Sequence, residues 1–439
     1  MSEAAPRSRT FFELLREIAE RDAERPALIA RGETVRYREL LERAGRLAAQ
    51  LERDGVGRGD RVGILSTNRR EWLEVFFAVA SIGATLVPFS TWSTRSELAF
   101  LLEDSRVRWL LTLPRLQVRV DEREEAREFA QDIRALRQAG TGCLERVVVL
   151  ADEGGAESYA AYCARPIADE RRPRGAGADT DSALVILYTS GSSARPKAVP
   201  LLHGAAIENG FNIGERQGLR RDDRVFVPVP LFWSYGVINA LPAALTHGAT
   251  LVLQERFEPE EALSLLETHR CTAIYTLPAI TNALLASRGF TRARTRTLRT
   301  GLTIGTSQDL KRTAEELGAH SICNIYGSTE TYGNCCVTPN DWPLALRSES
   351  QGRALPGVDL RIRDPESGSL CGPGEVGSIE VRGYLTPGYL GHSARHNREV
   401  FDAEGYFLTG DLGSVDADGR LRFAGRSSEM IKRSGINVS

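Results

Sequence analysis

Between residues 60 and 113 the chain alternates short apolar runs with amphipathic stretches: "DRVGILS", "EWLEVFFAVASIGA", "TLVPFS", "SELAFLLEDS", "VRWLLTL". Strand patterns separated by helical ones dictate βαβ units and a parallel sheet with helices on its faces. A second run repeats the pattern through "ALVILYT", "RVFVPVP", "ATLVLQE", "CTAIYTLP" and "LRTGLTIG". After about residue 345 the texture changes to short strands with Gly/Asp turns, "VDLRIRD", "GSIEVRG" and "GYFLTGDLGSVDADGRLRFAGR". That texture predicts a small β-barrel-like unit at about 345–425, appended to an α/β core at about 1–340. A chain of 439 residues exceeds one compact core and fits several such subdomains.

Local patterns fill in the rest. Phe11, Leu14, Leu15 and Ile18 share one helical face, and "ALIA" and "TVRY" flank a hairpin turn at Arg31-Gly32-Glu33. The charged stretch 117–138 reads as a solvated helix, and 164–182, rich in Pro, Gly and charge, as a surface connection. A formal net charge of −2 gives no basic field for nucleic acid. No apolar signal core or membrane-length run occurs. Seven cysteines without a CxxC pair argue against a zinc site or a disulfide framework, and the adjacent Cys335 and Cys336 read as packing residues. A reducing cytoplasm is the expected location.

One stretch carries chemistry on its face. The strand "ALVILY" delivers the chain into Thr189-Ser190-Gly191-Ser192-Ser193, followed by Pro196 and Lys197. Hydroxyls and backbone N–H groups gathered at a strand end form an anion-binding nest, and a nearby ammonium complements a polyphosphate. No Gly-Lys-Ser/Thr opens a helix here, so this is not a Walker A loop, and a plain polar turn is the alternative. The chain has only three lysines, Lys197, Lys311 and Lys432, among 56 basic residues, so a lysine in this loop points to a need for a compact cation.

"YTSGSSARPKAV" resembles the phosphate loop of the adenylate-forming superfamily of acyl-CoA ligases, peptide-synthetase adenylation domains and luciferases. Ala194 and Ala198 replace two of that loop's glycines; where positive φ is needed, alanine costs on the order of 1 kcal/mol. "NIYGSTET" (324–331), "YFLTGDLG" (406–413) and "GRLRFAGRSSEMIKRSGINVS" resemble the family's later signatures, in the family's order. The resemblance spans essentially the whole chain and implies two α/β subdomains with largely parallel sheets plus a β-barrel-like subdomain, together 1–428.

The resemblance also implies roles. Thr189, Ser190, Gly191, Ser192, Ser193 and Lys197 would hold the β- and γ-phosphates of ATP. Thr329 would meet the α-phosphate and Glu330 would bind Mg²⁺, with Gly327 and Ser328 beside them. Tyr326 would stack on adenine, Asn324 pair with its amine, and Gly305 and Thr306 pass alongside. Asp411 would grip the ribose hydroxyls, and Arg426 and Phe423 would complete the nucleotide site. The catalytic set is then Thr329, Glu330 and Lys197. On the acyl side, Trp233 stands where thioester-forming members commonly have His and amino-acid activators have Asp. An indole there implies an apolar pocket, with Val237, Thr303, Ile304, Ser328 and Tyr332 as neighbours, for a hydrophobic or aromatic carboxylic acid.

The implied reaction is attack of the acid on ATP to give acyl-AMP and pyrophosphate, then thioester formation with coenzyme A. Loading of a carrier protein and a catalytically silent nucleotide-binding role are the alternatives. Residues 429–439 correspond to the start of a C-terminal domain bearing a further lysine, and Lys432 is not that lysine. The chain as given is expected to adenylate slowly, since one missing charge-stabilising donor costs about 10²–10³ in rate.

Overall fold

The computed structural model describes residues 9–120, 123–151, 158–166, 178–189, 195–427, 431–433 and 436–438. The first apolar runs become strands Arg61–Leu65, Thr85–Phe89, Trp109–Thr112 and Arg146–Val149 of a six-stranded sheet. These pair in parallel, and most of their residues are buried, as expected where helices cover both faces. Strand Ala183–Thr189, expected to open the second run, joins this first sheet instead, with Val185 opposite Leu86. It then turns back as an antiparallel hairpin with Lys197–Leu202, and Lys197 sits directly across from Thr189.

The second sheet has nine strands, and its parallel centre is Ser321–Tyr326, Thr300–Thr303, Ala273–Tyr275, Arg224–Val227 and Thr250–Leu253. The hairpin near the N-terminus crosses over to extend it, pairing Leu28 with Leu251. Arg31 (φ 51°) and Gly32 (φ 76°) both take positive φ there, as a tight hairpin turn matching strand twist requires. The two α/β units therefore exchange strands and share one continuous apolar core.

The charged stretch 117–138 divides in two. Leu116–Val120 and Arg123–Arg127 form a hairpin, and only Phe129–Gln138 is helical. Phe129, Ile133 and Leu136, at i, i+4 and i+7, give that part alone a buried helical face. Most of the connection expected at 164–182 lies outside the described residues. Among the described residues no helix is long and apolar enough to cross a membrane.

The all-β unit is an antiparallel sheet of Asp359–Arg363, Gly377–Arg382, Phe407–Val415 and Leu421–Arg426. Its small core of Ile362, Ile379, Val381 and Leu421 also takes in Tyr326, Cys335 and Cys336 from the large sheet. This shared core fixes the all-β unit against the C-terminal end of the central strand Ser321–Tyr326.

His203 joins the first helix to the body of the protein. Helix Phe11–Asp22 is capped by Thr10 and Glu13, and its first amide, Phe11 N–H, donates to His203 Nδ1 at 3.2 Å. An imidazole accepting at Nδ1 carries its proton on Nε2, and burial lowers its pKa from 6.5 to about 4. Between those values the unfolded chain binds more protons, so this contribution is complete above pH 6.5 and lost as pH falls towards 4. The shift corresponds to about 3 kcal/mol. Urea denaturation of wild type and His203→Asn at pH 7.5 and 5 should show a shallower pH dependence in the variant; equal slopes would exclude His203 as the cause.

Candidate active site

Parallel strands of an α/β sheet present their carboxyl ends to ligands. Here Tyr275, Thr303 and Tyr326 end such strands, and the residues just beyond them, Leu277, Ile304 and Gly327, line one cleft. The cleft encloses about 660 Å³ and is closed by the hairpin residues Thr189 and Lys197, by Trp233 to Tyr235, and by residues 407–411 of the all-β unit.

At one end a cation and a carboxylate share an aromatic mount. The Lys197 ammonium lies 4.9 Å from the centre of the Tyr389 ring, and the Tyr389 hydroxyl donates to Glu330 Oε1 at 2.8 Å. Glu330 is only 9% exposed, and its backbone carbonyl accepts from Thr386 N–H. Burial, reinforced by the neighbouring carboxylate, holds the Tyr389 phenol protonated well above its ordinary range, so it remains a donor. Beside it the Thr329 hydroxyl donates to Ser234 Oγ at 3.2 Å.

At the other end Asp411 accepts from the Tyr326 hydroxyl at 2.8 Å and lies 3.4 Å from Arg426 Nε, its cross-strand partner. The Thr409 hydroxyl accepts the Asp411 amide and donates to the Ile379 carbonyl, fixing the Thr-Gly-Asp stretch where the strand pairing shifts register. Burial, then Cys335 and Asp411, keep the Tyr326 phenol protonated. The segment 324–331 thus joins both ends, through Tyr326 to Asp411 and through Glu330 to Tyr389.

Of the residues expected here, Thr189, Lys197, Trp233, Ile304, Gly327, Ser328, Thr329, Glu330, Asp411 and Arg426 lie on the cleft wall. Ser190, Gly191, Ser192 and Ser193 lie outside the described residues. Five others are turned away. Asn324 is 1% exposed, its Nδ2 donating to the Ser350 carbonyl and its Oδ1 accepting from Ile325 N–H, so it has no amide group free for adenine. Thr303 and Val237 are fully buried behind the wall, and the Tyr332 hydroxyl is taken by Leu202 N–H. Tyr326 leans on Phe423, ring centres 5.9 Å apart, and it is Ile325 and Gly327 on either side that face the cleft. Gly305 and Thr306 are exposed, and the Thr306 hydroxyl caps the helix beginning at Ser307.

Trp233 stands between this cleft and a second cavity of about 1000 Å³; Phe232, Trp233 and Leu277 line both. Trp92, Phe232 and Trp233 pack edge to face, Trp92 and Trp233 at 5.0 Å. At 36% exposure Trp233 is a wall of the cavities and not core packing.

Sequence reasoning missed Tyr389, Thr409, Ser234, Asn239 and Asn334, all on the cleft wall. Thr409 and Ser234 adjoin recognised residues and were open to reading. Tyr389 meets Glu330 across 59 residues, which no local pattern announces. Tyr389→Phe keeps the ring beneath Lys197 but leaves a buried carboxylate short of a donor. Unfolding free energy should fall by about 1–3 kcal/mol in urea titration; no change would mean Glu330 is held by other groups.

The chain resembles known proteins over most of its length. The family described as AMP-binding enzyme matches residues 15–390. The chain is 31% identical to a feruloyl-CoA synthase of Amycolatopsis sp over 93% of its length and 76% of the relative's. It is 30% identical to the acyl-CoA ligase SID4 of Ajellomyces capsulatus over 92% of its length and 70% of that protein's. Among solved structures, the anthranilate CoA ligase AuaEII in complex with anthranoyl-AMP superposes with a TM-score of 0.87 at 25% identity, covering 99% of this chain and 81% of that one.

Proposed function

Since the chain belongs to the AMP-binding enzyme family, we propose that it activates a hydrophobic or aromatic carboxylic acid as its acyl adenylate, for transfer to coenzyme A. The observation that carries this reading is the cleft's polarity, with Lys197 and Glu330 at one end, Asp411 at the other and the segment 324–331 hydrogen-bonded to both.

In the adenylation step a carboxylate oxygen attacks the α-phosphorus of ATP, the bond to the bridging oxygen breaks, and pyrophosphate leaves with the electron pair. Two anions must approach one another, so the chain has to place positive charge and donors around the phosphates before they meet. Lys197 and the Thr189 hydroxyl, facing each other across the hairpin, hold the outer phosphates, together with Ser190, Ser192 and Ser193. Thr329, already on the wall, turns its hydroxyl from Ser234 to the α-phosphate. Asp411 accepts the ribose hydroxyls while Tyr326 keeps its other side fixed.

The donor set suits Mg²⁺ carried in with ATP. Glu330 offers a single carboxylate with one oxygen occupied by Tyr389, and among the described residues no cluster of three His, Cys, Asp or Glu could cage an ion. Such a site holds Mg²⁺ through one carboxylate and the phosphate oxygens. When bound, the ion screens the charge of the polyphosphate.

The acyl group is assigned to the region of Trp233, Tyr235 and Ile304. Glu330 and Asp411 are the only carboxylate residues lining the cleft among the described residues, so within the cleft a substrate ammonium would find no counter-charge beyond those that serve the nucleotide; the glutamates Glu255, Glu258 and Glu261 line the second cavity on the other side of Trp233. The two CoA ligases matched in sequence support thioester formation as the second step.

Calorimetric titration with benzoyl, medium-chain, polycyclic and aminoacyl sulfamoyl adenosines tests the reading. Tight binding of a non-amino member is expected, and preference for an aminoacyl member would overturn the substrate class. No binding by any of them to the folded chain would favour a silent protein. Asp411→Asn should weaken the best binder by about 10-fold or more, the loss of charge-assisted bonds to ribose; an unchanged Kd would remove Asp411 from the nucleotide site.

A further inference from the structure

The most deeply buried part of the cleft wall is polar. Asn239, fully buried, and Asn334, 1% exposed, both line it and neither belongs to the phosphate or ribose machinery. Buried amide groups are ordinarily hydrogen-bonded, because leaving one unpaired in a protein interior is costly. Yet Asn334 makes no hydrogen bond through either Oδ1 or Nδ2, and Asn239 Oδ1 and Ser328 Oγ are also unpaired.

The orientation of Asn239 is fixed. Its Nδ2 donates to the Ser234 carbonyl at 3.1 Å and to the Tyr332 carbonyl at 3.4 Å, so the free atom is the carbonyl oxygen. That atom accepts only. Asn209, behind the wall, donates to the carbonyls of Asn334 and Tyr332 and so anchors the same turn. The turn itself is built for this placement. Tyr332 has φ 55° with its hydroxyl tied to Leu202 N–H. Gly333 has φ 83°, and a Cβ there would stand 1.8 Å from Asn239 Nδ2. Only glycine lets the turn close against the asparagine.

An acceptor at Asn239, a donor and an acceptor at Asn334 and a hydroxyl at Ser328 complement a neutral group that can give a hydrogen. None of the three carries a charge, so the set offers no cation to neutralise a carboxylate, which Asn239 Oδ1 would also repel, and no anion to neutralise an ammonium. We propose that this asparagine-lined end binds a neutral hydroxyl or N–H on the acyl group. The preferred acid is then a hydrophobic or aromatic one bearing such a donor, not a plain hydrocarbon acid. The inference rests on the cleft being the adenylate site proposed above, and it names the substrate feature that site selects.

The test is calorimetric titration of the wild-type chain with matched sulfamoyl adenosines: monohydroxylated benzoyl, phenylacetyl and hexanoyl analogues against their unsubstituted parents. At least one hydroxylated analogue should bind about 10-fold or more tightly than its parent, since a site built to pair a hydroxyl rejects the analogue lacking it. Asn334→Leu, close in size and apolar, should bring that ratio within about threefold while leaving the Kd for AMP alone unchanged, which also reports that the variant is folded. Should that variant fail to fold, the wild-type ratios still decide. Parents that bind as tightly as every hydroxylated partner would overturn this inference and leave the adenylating function standing. Absence of binding by every analogue would overturn both.

Discussion

The cleft depends on a residue that belongs to two units of the molecule and also reaches the site. Tyr326 ends a central strand of the nine-stranded sheet, packs its ring into the small core of the all-β unit, and donates its hydroxyl to Asp411. Without that shared core the Thr-Gly-Asp stretch of strand Phe407–Val415 would have no fixed position relative to Thr329 and Glu330, which follow Tyr326 by three and four residues. A rigid strand end thus sets the distance between the Asp411 end and the Glu330 end of the cleft. Preorganisation of this kind removes the need to move charged groups into place when substrates arrive.

The charges at the Lys197 and Glu330 end are held by neighbours rather than by direct pairing. Glu330 is buried but receives the Tyr389 hydroxyl, and Lys197 rests on the same ring's face. A direct ion pair between the two would satisfy both and leave little incentive to bind phosphate or metal. One tyrosine instead meets the cation at its ring and the anion at its hydroxyl, so each has a neighbour without the two being paired directly. Tyr389 comes from the segment that also clamps the outer hairpin strand, where Leu390 N–H donates to the Ala198 carbonyl. The loop's exit and the Glu330 carboxylate are therefore positioned by one stretch of chain.

What the sequence made legible, and what it hid, follows from the periodicity of strands. That Thr189, Lys197, Thr329, Glu330 and Asp411 come together was readable because each sits in a contiguous signature, four of them at a strand end or in a turn and Asp411 within strand Phe407–Val415. Roles within a strand were read less well. Side chains alternate between faces, so Ile325 and Gly327 face the cleft whereas Asn324 and Tyr326 share the opposite face. Reading "NIYG" as a list of recognition groups overlooked that alternation. The same applies to Thr303, which is buried behind Ile304. Asn239 and Asn334 escaped notice because their significance lies in hydrogen bonds that are not made, a property of packing and not of composition. The exchange of strands between the two α/β units, through Val185 beside Leu86 and Leu28 beside Leu251, is likewise set by long-range pairing.

The alanines of the phosphate loop raised the question of whether the site is intact, and Ala198 answers half of it. It lies in strand Lys197–Leu202, opposite Tyr188, and its backbone is not among those with positive φ. A glycine at this position would gain nothing from its conformational freedom and would lose more entropy on folding. The alanine methyl is instead buried, and the residue's N–H donates to Ser393 Oγ at 3.2 Å while its carbonyl accepts from Leu390. Substituting alanine for glycine there stiffens the base of the loop without straining it, and it stiffens the residue next to Lys197. An alanine here is therefore compatible with the adenylate site proposed above, and Ala198 is no argument that the chain is silent.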